Sequence, residues 1–252
     1  METRPQAAIE ALRARIRAIE WSGRPSHGVL PFGVGLLDAA LPERGLALGS
    51  LHEVAGGGTG AVDGAAAALF AAGIVARVPG RVLWCVTRPD LFAPALYQTG
   101  LDPDRVIYVE AGNETTVLAC FEEGLRHGGL GGVVAEVARL SMTASRRLQL
   151  AAETSGTIGI AVRRWRRATE AADFGQPTAA VTRWRVSALP SPALPVPGVG
   201  RARWFVELIR CRAGDCAEFT VEACDETGHL AVPADLANRS AAASARRFGA
   251  AG

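Results

Sequence analysis

The chain has 252 residues, 49% of them hydrophobic, with 27 basic residues against 25 acids. That apolar fraction is enough to fill a core, which excludes a disordered or fibrous chain, and a net charge of +2 excludes a uniformly basic nucleic-acid coat. Every basic residue is an arginine, so a mechanism that needs an ammonium group, whether a Schiff base or a phosphate-loop lysine, has no residue to carry it.

The chain opens METRPQAAIE, with two acids and no continuous apolar run, which is not the pattern of a secretory signal. Ile9, Leu12, Ile16 and Ile19 then recur at helical spacing, with Arg13, Arg15 and Arg17 between them, and predict a helix over 7–20. A helix this short must pack on something, either its own domain or a neighbouring protein. Residues 22–30 read as a linker from their Gly, Pro and Ser content. Beyond it, apolar runs alternate with helical patterns. Strands are predicted at 51–55, 81–87, 105–110, 132–137 and 157–162. Helices are predicted at 61–77, 91–99, 114–126 and 143–154. Strict alternation at these lengths predicts an α/β fold, a mostly parallel sheet with helices on both faces.

After residue 162 the pattern changes. Residues 163–180 are arginine-rich and loop-like. Three strand-like segments, 181–188, 203–212 and 218–223, follow with no helix between them and are read as antiparallel additions at one sheet edge. The connection 189–200 carries four prolines and belongs on the surface. The Ala-, Ser- and Arg-rich tail has little to bury. The expected organisation is an N-terminal helix and linker (1–29), a core domain (30–232) and a tail (233–252).

No run reaches the roughly 18 apolar residues that suggest a membrane span. Five cysteines, Cys85, Cys120, Cys211, Cys216 and Cys224, form no CxxC pair, and an odd number without a signal reads as reduced thiols in a cytoplasmic protein. The spacing of Cys211, Cys216, Cys224 and His229 fits no common zinc pattern, so no metal is expected.

Two features carry chemistry. The first is the turn between the first long strand and its helix: Gly56, Gly57, Gly58, Thr59, Gly60, Ala61, Val62, Asp63. Its place fits a phosphate loop, where backbone N–H groups and a helix N-terminus cradle an anion. A working loop reads GxxxxGK[ST]. Counted from Gly56, alanine stands at the second glycine, Val62 at the lysine and Asp63 at the hydroxyl that binds magnesium. Val62 brings no charge to the phosphates, and Asp63 brings the wrong one. The loop therefore reads as a nucleotide site that has lost its chemistry, with no cofactor and no catalytic residue. Glu136, which closes the strand 132–137, stands where such enzymes carry a magnesium-supporting acid.

The second feature is charge. Residues 139–185 hold nine arginines and three acids, net +6, whereas 102–123 hold six acids and one arginine, net −5. Guanidinium groups bind phosphates bidentately, and an indole stacks on a base. Arg139, Arg146, Arg147, Arg163, Arg164, Trp165, Arg166 and Arg167 are therefore candidates for a surface that binds single-stranded DNA or an acidic partner. The other reading is a solvated loop whose arginines pair with acids.

The stretches Pro31-Phe32-Gly33-Val34-Gly35-Leu36-Leu37-Asp38 and Arg44-Gly45-Leu46-Ala47-Leu48-Gly49-Ser50-Leu51-His52-Glu53-Val54 resemble the segment before the nucleotide loop of RecA-type recombinases, and the later strands follow RecA order. Within that superfamily, the tracts 204–212 and Glu222-Ala223-Cys224-Asp225-Glu226-Thr227-Gly228-His229 are similar to the ImuA family of bacterial damage-inducible mutagenesis cassettes. The resemblance implies an SOS-response partner of the polymerase-like protein ImuB and of an error-prone polymerase, with RecA or single-stranded DNA as further contacts. It also implies kinship with SulA, which leaves a cell-division inhibitor binding a cytoskeletal polymer as an alternative. The catalytic glutamate of RecA aligns near Thr87 or Arg88, so ATP hydrolysis is not inherited with the frame. The two DNA-contacting loops of RecA correspond to 139–147 and 163–176.

Overall fold

The computed structural model describes residues 11, 12, 15, 27–58, 60–165, 168–191, 194 and 197–234. A two-stranded antiparallel ribbon, β1 (Val29–Leu30) with β2 (Leu46–Ala47), leads into the main sheet, and a short helix α1 (Gly35–Ala39) lies between its strands. The main sheet is built from β3 (Leu51–Gly56), β4 (Val82–Val86), β5 (Val106–Glu110), β6 (Gly132–Val137), β7 (Ile158–Arg163), β8 (Thr182–Leu189), β9 (Arg203–Cys211) and β10 (Ala217–Glu222). Its order is β10-β9-β8-β3-β7-β6-β4-β5. The helices are α2 (Ala61–Ala76), α3 (Ala93–Tyr97), α4 (Glu114–His127), α5 (Met142–Ser155) and α6 (Ala168–Ala171).

The predicted alternation is the observed one, with one difference of direction. β8 runs parallel to β3, so the parallel part of the sheet extends one strand beyond the region where helices alternate with strands. Only β9 and β10 are antiparallel additions. Pairing direction depends on which edge a strand joins, and β8 joins β3 rather than β7, which precedes it in sequence. The helix predicted over 91–99 is a single turn over 93–97, opened by Pro94 in its first turn. In the helix predicted over 7–20, Ala11, Leu12 and Arg15 are helical and its other residues lie outside those described, as do those of the tail from 235 onward.

Two apolar clusters hold the layers together. On one face α2 packs through Phe70, Ile74 and Val75 against β3 and β8. Phe70 lies 5.7 Å from both Phe32 and Trp184 and 6.3 Å from Trp204, ring centre to ring centre. On the other face Val117, Phe121 and Leu125 of α4 and Leu148, Ala151 and Ala152 of α5 cover β6 and β7. α4 starts because the Asn113 side chain accepts from Thr116 N, and α5 because Ser141 accepts from Ala144 N. Each ends on a glycine in the left-handed region, Gly128 at φ 70° and Gly156 at φ 81°. Among the described residues no helix is long and apolar enough to cross a membrane.

The core also decides the state of the thiols. Burial pushes Cys85, Cys211 and Cys224 up to about 12. They are protonated at neutral pH and lack the thiolate that metal binding and oxidation require. Only Cys216 is exposed. A disulfide reagent at pH 7.5 is therefore expected to modify Cys216 first in the native protein and to reach Cys85 only after denaturation. Equal native rates at both positions would contradict this packing.

Candidate functional site

The carboxyl ends of β3, β6 and β7 meet at the glycine loop, the place where ligands bind in open parallel sheets. A buried ion cluster lies beneath it. Glu53 on β3 stands level with Arg183 on β8, and Arg163 on β7 stands level with Ala55. Residues 53 and 55 share one face of the sheet, so the three charged side chains converge. Arg163 Nη1 donates to Glu53 Oε2 at 2.8 Å, and Arg183 Nη2 donates to Glu53 Oε1 at 3.1 Å. The side chains of Glu53 and Arg163 are both 0% exposed. Asp173 adds a second carboxylate to Arg163, Thr178 Oγ1 donates to Glu53, and both guanidinium groups lie against the Phe174 ring, 5.7 and 5.1 Å from its centre. The set contains two acids and two cations and closes without net charge. The Nε of Arg163 and of Arg183 finds no partner among the described residues.

Above this cluster Arg164 leaves the end of β7 and bridges two acids. It donates to both oxygens of Asp90 at 2.9 Å and to Glu136 Oε2 at 2.5 Å, while the other oxygen of Glu136 accepts from Trp84 Nε1 at 3.2 Å. Burial works against the charge of Arg164, but Glu136 and Asp90 outweigh it and hold its pKa above the ordinary guanidinium value. Trp165 is half-buried with its ring 5.8 Å from Phe174.

The glycine loop is tied to β8. Gly57 N donates to Val186 O at 2.9 Å, and Asp63 Oδ1 accepts from Ala188 N at 2.9 Å. Two of the glycines are required by close approach. A Cβ on Gly56 would lie 2.8 Å from the Asp63 carbonyl carbon, and one on Gly57 would lie 1.7 Å from Ser187 Oγ. Val62, at the lysine position, is 69% exposed. A cavity of about 450 Å3 opens between Gly58, Gly60 and Gly64 on one side and Leu91, Phe92, Arg164 and Trp165 on the other. A smaller one of about 150 Å3 adjoins it, lined by Thr87, Arg88, Glu114 and Glu136. Thr59 lies outside the described residues. The polar groups that would meet a triphosphate and its metal are thus engaged elsewhere: Asp63 with β8, and Glu136 with Arg164 and Trp84.

Reading the arginine-rich segment as one basic surface requires correction. Arg163 faces the interior and cannot contact a ligand at the surface, because Glu53 and Asp173 hold it there. Arg164 is neutralised by Asp90 and Glu136, Arg147 pairs with Glu122 at 2.5 Å, and Arg183 and Arg185 pair with Glu53 and Glu207. Only one of these acids, Asp173, lies within 139–185, so the surplus counted along the segment is largely cancelled by carboxylates from elsewhere in the chain. Trp165 packs on Phe174 and also lines the cavity beside the glycine loop. Arg139 and Arg146 are exposed and have no ionic partner among the described residues; Arg166 and Arg167 lie outside them. Glu53 and Arg183 were not predicted as a site. Their signal is a charged residue inside an otherwise apolar strand, at positions that the sheet register brings level.

Comparison with known proteins follows this geometry. No protein-family profile matches the chain. Two relatives, each named Protein ImuA, come from Caulobacter vibrioides strains NA1000/CB15N and ATCC 19089/CIP 103742/CB 15. Each is 38% identical over 249 residues, spanning 92% of this chain and 100% of the relative. The chain belongs to the ImuA family. The crystal structure of the RadB recombinase superposes with a TM-score of 0.54 and 16% identity, covering 81% of this chain and 99% of that one. At that identity the match bears on the fold alone, and that fold is RecA-like. The ImuA-family chain thus has a RecA-like frame in which Asp63, beside the glycine loop, is turned to a structural contact.

Glu53 offers a direct test of the cluster. Glu53→Gln leaves two desolvated guanidinium groups with one carboxylate, an expected loss of about 3–5 kcal/mol in unfolding free energy. Urea denaturation measures it, and a loss under about 1 kcal/mol would mean that the cluster is hydrated.

Proposed function

We propose that this ImuA-family chain is a non-catalytic, RecA-fold accessory protein of damage-induced, error-prone translesion DNA synthesis. It docks on an ImuB-type polymerase-like protein and, in that assembly, serves an error-prone polymerase, with RecA or single-stranded DNA as further contacts. Membership of the ImuA family and the RecA-like fold support a role in the DNA-damage response. The observation that carries the non-catalytic reading is the glycine loop: valine at the lysine position, Asp63 bonded to Ala188 N, and Glu136 neutralised by Arg164. In this proposal the protein is cytoplasmic, the core spans 30–232, and the segments 7–20 and 238–252 are docking elements. Contacts to a phosphate backbone fall to Arg139, Arg146, Arg166 and Arg167.

Two measurements test this reading. Purified protein with ATP and magnesium is expected to release phosphate at the rate of a protein-free control; turnover abolished by Asp63→Ala or Glu136→Ala would establish an ATPase instead. In binding to oligo-dT, the Arg139→Ala/Arg146→Ala pair is expected to weaken affinity and to flatten the dependence of log K on log salt by about 1.4, the slope of two phosphate contacts on a single strand. An unchanged slope would remove DNA from this surface and leave an acidic protein as its partner.

A further inference from the structure

The two edges of the main sheet differ. At one, the chain covers β10 itself: Glu222 and Ala231 exchange both backbone bonds. At the other, β5 pairs with β4 and with no further strand among the described residues. Ala111 N donates to Val86 O, so residues 107, 109 and 111 turn their backbone groups to β4, and Val106, Tyr108 and Glu110 turn theirs outward. Those outward groups have no partner among the described residues. An open edge strand is ordinarily guarded by a proline, a bulge or a charge along its length. β5 has no proline, pairs with β4 in unbroken register, and carries its one charged residue, Glu110, at its end. Ile107 is 39% and Tyr108 40% exposed, one on each face of the strand. The turn that leads into β5 and its far end hold three exposed carboxylates, Asp102, Asp104 and Glu110, without an ionic partner among the described residues. Arg105, the one arginine of this stretch, spends its guanidinium on the carbonyls of Ala76, Val78 and Gly80.

We propose that β5 receives an extended, basic segment of the polymerase-like partner, which adds a strand to the eight-stranded sheet. The outward N–H and C=O groups of Val106, Tyr108 and Glu110 call for an extended chain, because a strand offers donors and acceptors at the matching spacing. Ile107 and Tyr108 meet apolar side chains of that segment, one on each face. The unpaired carboxylates at both ends of β5 call for arginine or lysine. They also disfavour a second copy of this chain, which would bring its own Asp102, Asp104 and Glu110 to the same seam. The proposal deepens the accessory reading and rests on it, since it names a surface of the core that holds the partner.

The backbone of Tyr108 makes the test specific. Its N–H faces away from β4, so Tyr108→Pro removes an outward donor and no bond of the sheet. Tyr108→Thr removes the ring and keeps the donor. Association with the purified ImuB-type protein is measured by titration for wild type, these two variants, the pair Asp104→Arg/Glu110→Arg, and a control, Leu150→Ser, an exposed position on α5. Circular dichroism checks that each variant is folded. The expected result is binding weaker by about tenfold or more for Tyr108→Pro and for the arginine pair, a smaller loss for Tyr108→Thr, and none for the control. Hydrogen exchange in the wild-type complex adds a measurement that needs no variant. It is expected to slow at the amides of Val106, Tyr108 and Glu110 and to stay unchanged at Ile107 and Val109. Unchanged exchange at the three outward amides, or wild-type affinity in Tyr108→Pro, overturns strand addition while leaving the accessory reading in place. Equal losses in the proline and threonine variants assign the contact to the ring and overturn it as well. Wild-type affinity in the arginine pair overturns the basic segment. No association of the wild type overturns both the proposal and the docking reading. Self-association that Tyr108→Pro abolishes assigns the edge to a second copy and overturns the proposal.

Discussion

The contact on which the site depends is the buried carboxylate of Glu53 between Arg163 and Arg183. A charge without solvent must be paired, and here the pairing joins three strands and the segment that covers them. Arg183 donates to the carbonyls of Phe174 and Gln176, Arg163 donates to Ala138 O, and Asp173 accepts from Leu140 N as well as from Arg163. Such a cluster adds little net stability over an apolar replacement, but breaking it is costly. Its effect is on position. Residues 172–178 are fixed over the sheet, and Arg164 and Trp165 are consequently held at the edge of the glycine loop.

That arrangement changes what the loop can do. In a nucleotide-binding site of this kind, a lysine and a metal offset the charge of the phosphates. Here Arg164, at the opening, is held in place by Asp90 and Glu136, which together exceed its charge. Asp63 meanwhile serves as a tie between α2 and β8. Gly56 and Gly57 are required because the backbone of α2 and the side chain of Ser187 crowd them, which is a packing demand and operates without any ligand. A glycine-rich loop can therefore persist in a RecA-like frame on structural grounds alone.

His52 shows the same economy of polar groups. It is fully buried, with Nε2 2.8 Å from Ala47 O and Nδ1 2.8 Å from Thr182 Oγ1. The carbonyl can only accept, so Nε2 carries the proton and Nδ1 accepts from the threonine hydroxyl. Thr182 Oγ1 accepts in turn from Trp184 Nε1 at 2.7 Å. A neutral chain of bonds thus joins the entry ribbon, β3 and β8, next to the charged cluster on the opposite face of the same strands.

The order of strands and helices was legible in the sequence because each element repeats with its own period over its own residues. That valine and aspartate stand at 62 and 63 after the glycines, in a chain without lysine, was legible as well, since these are identities at fixed spacing. So was the family, from contiguous tracts. The fate of the arginines was not. Arg163 and Glu53 are 110 residues apart, and Arg183 and Glu53 are 130 apart. A charge balance taken along a segment counts neighbours in the chain, whereas neutralisation acts over a few ångströms in space. The sequence by itself determined the order of the elements and the absence of a lysine from the glycine loop. The tertiary structure alone decided which cations are spent inside the molecule and which remain at its surface, because only the sheet brings distant strands within reach of one another.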